Sequence, residues 1–181
     1  MNGKTSQFCC NKTTRICLIV TFSVLLAIIS KFSRDMHHTG QAVFAIIFTI
    51  GVLAISKYGS ALSISLVAGI IYSFTSSLGF FILISWFMRG ITTDILLKAM
   101  NTFNGDNPSP YKVTIAMTAG SLITGLTHYY ILIKLLQLVP EPPFSLVMFS
   151  IGVAVVSTII ASFVTAKFIF KRIKPVLPWC K

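Results

Sequence analysis

From Phe144 to Phe170 the chain reads FSLVMFSIGVAVVSTIIASFVTAKFIF and carries one charged residue, Lys167. About 20 consecutive apolar residues in a helix cross a hydrocarbon core of about 30 Å, so this run is long enough to span a membrane. Lipid offers no hydrogen bonds to an open backbone, which restricts a lipid-facing segment of this kind to a helix. Five further apolar runs precede it, separated by breaks such as SRDMHHTG, NTFNGDNPSPYK and VPEPPFS. Three prolines in the last of these are incompatible with one helix interior. The composition agrees: 55% of residues are apolar, 10% are charged, and mean hydropathy is +0.85. A typical soluble domain is about 25% charged. The expected fold class is all-α, a polytopic membrane protein with six transmembrane helices in one bundle. Residues 1–181 form a single transmembrane domain in this reading, with approximate helices at 15–33, 41–56, 60–78, 80–100, 112–138 and 144–172.

Fifteen Lys and Arg against four acids give a net charge of +11. In a soluble protein that balance would suggest nucleic acid. Here the basic residues sit in the tails and between apolar runs, where membrane orientation and anionic lipid headgroups account for them. With six spans, eleven of these cations fall on the side of the termini and three, Lys31, Arg34 and Lys134, on the other. The bias places both termini in the cytoplasm of a multi-pass cell-membrane protein. Arg89 belongs to neither side, because it falls inside the fourth span.

Arg89 lies roughly 13 Å into a helix beginning near Phe80, close to mid-membrane. A cation at that depth normally faces a bundle interior, a polar cavity or an acid. Asp94 is too far around the helix to stack on Arg89, but it sits four residues before Lys98, a favourable pairing distance. The fifth span brings Thr124, His128 and Tyr129 together in GSLITGLTHYY, with Thr124 and His128 on one face. A histidine at this depth suggests a polar cavity, and adjacent aromatic rings suit a flat organic ligand. Asp94 is a further candidate ligand contact. The alternative for each is structural: snorkelling or an interhelical contact to Ser or Thr for Arg89, pairing with Lys98 alone for Asp94, and a bond to a serine across the bundle for His128. His37 and His38, with Asp35 nearby, form a third candidate in the first outer loop, where a solvated loop is the plainer reading. No carboxylate or cysteine lies at metal spacing, so no metal site and no cofactor are expected.

Cys9, Cys10, Cys17 and Cys180 follow neither zinc-site spacing nor a prenylation pattern. The basic-then-apolar start reads as a retained first helix rather than a cleaved signal. The chain contains no G-x-x-x-x-G-K-[ST], no H-E-x-x-H and no G-x-S-x-G, and acids are too scarce for a paired-carboxylate site. An enzyme is therefore not expected. Small residues recur at helical spacing, including Ser23 and Ala27, and permit close helix packing.

The whole chain resembles the substrate-binding membrane subunits, or S-components, of energy-coupling factor (ECF) transporters. The run LVAGIIYSF…GFFILISWFMRGITTDILL is similar to the glycine-containing third helix and arginine-glycine fourth helix of vitamin-specific members. Ser23 and Ala27 fall where those subunits carry a small-x-x-x-small docking pattern, with serine here in place of the usual alanine. The resemblance implies a binding subunit that captures a small vitamin or vitamin precursor outside the cell. Its implied partners are a transmembrane coupling subunit and two cytoplasmic ATPases that drive uptake. It implies an outward-facing pocket with Trp86, Arg89, His128 and Tyr129 lining or supporting it. Two alternatives fit the residues as well: a small secondary carrier, though no internal repeat is visible, and a noncatalytic membrane scaffold or assembly protein.

Overall fold

The computed structural model describes residues 12–33, 38–104, 108–137 and 140–173. Among them the chain is all-α, a bundle of six helical rods. The rods are α1 (Lys12–Ser33), α2 (His38–Ile55), α3 (Ser60–Ser73), α4 (Ile82–Ala99), α5 (Pro110–Thr127) and α6 (Phe144–Val164). One 3₁₀ turn, Gly79–Phe81, leads into α4. A π-helical segment, His128–Leu135, extends α5, and a second, Thr165–Ile169, carries α6 into a final turn, α7 (Phe170–Ile173). Three rods are long and apolar enough to cross a membrane: Lys12–Phe32, Gly79–Ala99 and Phe144–Ile173. The chain is a multi-pass membrane protein, with the shorter apolar helices α2 and α3 packed among these rods.

Local chemistry sets the boundaries. Pro110 occupies the first turn of α5, where its missing N–H costs nothing and its fixed φ suits a helix. The third helix stops at Ser73, short of the expected residue 78. There the Ser73 hydroxyl donates to the Ile70 carbonyl (2.7 Å) and the Thr75 hydroxyl to the Tyr72 carbonyl (3.1 Å). The Ser76 hydroxyl then accepts the Leu78 amide at 3.2 Å. Such side chains offer the backbone an alternative to the helix ladder. Gly79, at φ +53°, completes the turn in a region that favours glycine.

Packing neighbours follow one another in the order α1, α3, α4, α5, α6, α2 and back to α1, a closed ring. Its half nearest the start of α1 is filled by apolar side chains, among them Val52, Leu53, Ile64, Leu97 and Val113, all fully buried. The opposite half, where α1 ends and α2 and α4 begin, is where the cavities lie.

Ser23 and Ala27 face inward. Ser23 is fully buried and its hydroxyl donates to the Ile64 carbonyl at 3.1 Å; Ala27 is 5% exposed. In the isolated chain the small size of this pair serves close packing inside the bundle, with Ser23 set against α3. The outward face of α1 is apolar, with Ile16, Val20, Leu25 and Ile28 exposed.

Gly90 sets the distance between α3 and α4. A Cβ there would come within 2.7 Å of the Leu62 Cα, a backbone atom that cannot move aside alone. Gly90→Ala is expected to destabilise by about 1–3 kcal/mol through overpacking. Gly152→Ala, with nothing within 4 Å of the new methyl, should be neutral to stabilising by up to about 1 kcal/mol. Thermal unfolding of both variants in detergent checks the opposite signs.

Candidate ligand-binding site

The two charges of α4 have separate surroundings. Asp94 is buried and reaches α3, where its carboxylate accepts the Leu62 amide at 2.7 Å and the Ala61 amide at 3.3 Å. The first amides of a helix have no partner within it. Gly59, preceding α3, has no side chain to cap them, so α4 supplies the cap from outside. Asp94 thus lines neither cavity, and the Lys98 pairing is absent: among the described residues the one ion pair is Lys134–Glu141, at 3.6 Å.

Arg89, about 10 Å along α4 from Ile82, lies at the wall shared by two cavities. Its Nε donates to the Thr124 hydroxyl at 3.2 Å, and its Cζ sits 4.5 Å from the centre of the Phe44 ring. Thr124 suits this role because its own hydroxyl proton goes to the Gly120 carbonyl at 2.6 Å, which turns an oxygen lone pair toward Arg89. Gly120 also keeps α5 close to α4, since a Cβ there would come within 3.2 Å of the Arg89 carbonyl. Among the described residues no carboxylate pairs with Arg89. A guanidinium has five N–H donors in a planar fork that matches carboxylate geometry.

The first cavity, about 290 Å³, lies between the end of α1, the start of α2, the end of α3, the start of α4 and the later part of α5. Three aromatic rings form its walls. Trp86 packs edge-on against Phe44, with centroids 5.5 Å apart, and tilts toward Tyr72 at 6.0 Å. Gly69 lets α3 approach Trp86 closely, since a Cβ there would meet the Trp86 Cβ at 2.9 Å. Ser85 lines the same cavity; it is 2% exposed, and its hydroxyl has no hydrogen-bond partner among the described residues. The second cavity, about 410 Å³, lies between α5 with its π-helical extension and α6. Its far wall is largely apolar, with Ile133, Leu146, Val147, Ile151 and Ala154. Gln41, Arg89, Thr124 and His128 line both. Ligand sites typically occupy about 300–1,000 Å³.

The sequence-predicted residues therefore fall into distinct places. Trp86, Arg89, Thr124 and His128 meet at the first cavity, while Tyr129 lines the second. The Tyr129 hydroxyl donates to Glu141 at 3.1 Å, which ties the extended α5 to the segment before α6. His37 and Asp35 lie outside the described residues, and His38 begins α2. Sequence reasoning missed Gln41, Phe44, Tyr72 and Ser85. None breaks its local pattern, since an aromatic or serine in an apolar helix ordinarily signals packing, and only the ring of helices brings them together.

Fold and site define a multi-pass helical bundle with a ligand-sized, partly polar chamber in the half opposite its packed core. No protein-family model and no curated protein matches the chain. Among solved structures, the crystal structure of an S-component of an ECF transporter is similar in fold. The TM-score is 0.64 at 13% sequence identity, over 91% of this chain and 82% of that one.

Proposed function

We propose that this protein is the substrate-specific binding subunit of an ECF-type transporter. It captures a small vitamin or vitamin precursor outside the cell for ATP-driven uptake by partner subunits. The observation that carries this reading is the placement of Arg89 in the wall between two cavities, without a carboxylate partner among the described residues. A cation is costly at membrane depth unless something polar occupies the space it faces. The similarity in fold to an S-component supports the class of transporter.

The cationic bias puts both termini in the cytoplasm, which turns the cavity-bearing half outward. Trp86, Arg89, Thr124, His128 and Tyr129 contact or support the ligand. A transmembrane coupling subunit and two cytoplasmic ATPases supply the energy, and the protein itself binds rather than catalyses.

Mass spectrometry of denatured, purified full-length protein should find a small organic molecule at near-stoichiometric amounts. Purification from native membranes should bring an ATPase pair with it. Gradient-driven uptake by proteoliposomes holding this chain alone would sink the reading in favour of a secondary carrier. Protein empty after growth in many media, with no ATPase attached, would favour a scaffold.

A further inference from the structure

We infer that the ligand is an organic anion whose acid group lies between a flat ring and an aliphatic arm. The inference rests on the binding role proposed above and adds the chemistry of the substrate. Its basis is the order of surfaces across the two cavities. Aromatic walls, Phe44, Tyr72 and Trp86, stand on one side, and the apolar surface of α6 around Leu146 and Ile151 stands on the other. The polar wall with Arg89 runs between them, common to both.

Each surface selects one part of a molecule. Rings that meet edge-on and at a tilt leave faces and edges for a planar guest, with which aromatic side chains pack favourably. The Ser85 hydroxyl, buried and unpartnered among the described residues, supplies a hydrogen bond at that end. A buried hydroxyl left without a partner is destabilising, so a polar atom on the ring edge fits there. At the shared wall Thr124 holds Nε of Arg89 and the Phe44 face holds the guanidinium plane. The remaining fork donors are thereby pre-oriented for a bidentate acid. The α5–α6 cavity offers mainly dispersion and apolar contact, which an aliphatic chain satisfies. A ligand that fills both cavities at once therefore has its acid at the branch point, not at a tip.

Four probes with the full-length protein in detergent test this by titration calorimetry: 2-phenylhexanoate, phenylacetate, hexanoate and 2-phenylhexanamide. The expected order places 2-phenylhexanoate at least about 30-fold tighter than phenylacetate, since it adds four methylenes to the apolar cavity. Hexanoate, without a ring, and 2-phenylhexanamide, without a charge, should each bind at least about 10-fold more weakly than 2-phenylhexanoate. Ala154→Phe fills the α5–α6 cavity and should remove the gain from the alkyl arm. Gly152→Ala, whose new methyl meets open space, is the control for folding. Equal affinity for the amide and the acid, or no gain from the arm, overturns the inference. So does identification of a cationic or uncharged molecule retained by the purified protein, although that result leaves the binding role standing. Failure of every probe together with an empty purified protein removes both.

Discussion

Arg89→Ala should lower affinity for the retained ligand by about 100-fold or more, while the protein still folds. The magnitude follows from two charge-assisted hydrogen bonds to an acid, each worth roughly 1.5–3 kcal/mol. Folding should survive because the substitution strands no buried partner. Thr124 keeps its hydrogen bond to the Gly120 carbonyl, and Phe44 loses only a cation–π contact. Arg89→Lys restores charge without the planar fork and should recover only part of the loss. Ligand stoichiometry by mass spectrometry, read beside the thermal midpoint of the empty protein, checks both. A variant that unfolds, or one that keeps its ligand, would make Arg89 a helix-to-helix contact and not a ligand group.

For Asp94→Ala the expected result is the reverse: stability falls by about 2–6 kcal/mol, and ligand stoichiometry per folded molecule is kept. Removing the carboxylate leaves the Ala61 and Leu62 amides without their acceptor at a buried helix start. Each buried donor so stranded costs about 1–3 kcal/mol. Asp94→Asn retains one acceptor oxygen and should recover roughly half of the loss. Thermal unfolding in detergent measures the cost. Unchanged stability with lost ligand would place Asp94 in the binding site after all.

These two variants separate residues that the sequence sets only five positions apart. Both are charges in one apolar helix, and the helical repeat says only that they point in different directions. Arg89 could be singled out because depth alone makes a mid-membrane cation expensive. Asp94 could not be resolved, because its partners lie on α3 and no local pattern announces a cap supplied by another helix. The same limit explains Ser23 and Ala27. Their spacing on α1 marks a surface for close packing, but whether α3 or another protein fills it depends on how the helices are arranged.

Read without any coordinates, the sequence already makes this chain a bundle of membrane helices. Burial of apolar runs and the need to satisfy backbone amides in lipid are local constraints, legible in composition and run length. It also determined that Arg89, Thr124 and His128 require a polar surrounding, for the same energetic reason. Helix packing alone fixes the ring order, in which α1 adjoins α3 and α6 adjoins α2. That order sets Phe44 against Arg89 and Trp86, and divides the chamber into aromatic and apolar parts. Apolar helix faces are interchangeable at the level of composition, so their pairing is fixed by shape: Gly69 beneath Trp86, Gly90 against Leu62, Gly120 against the Arg89 carbonyl. Complementarity between distant surfaces arises only when the helices meet.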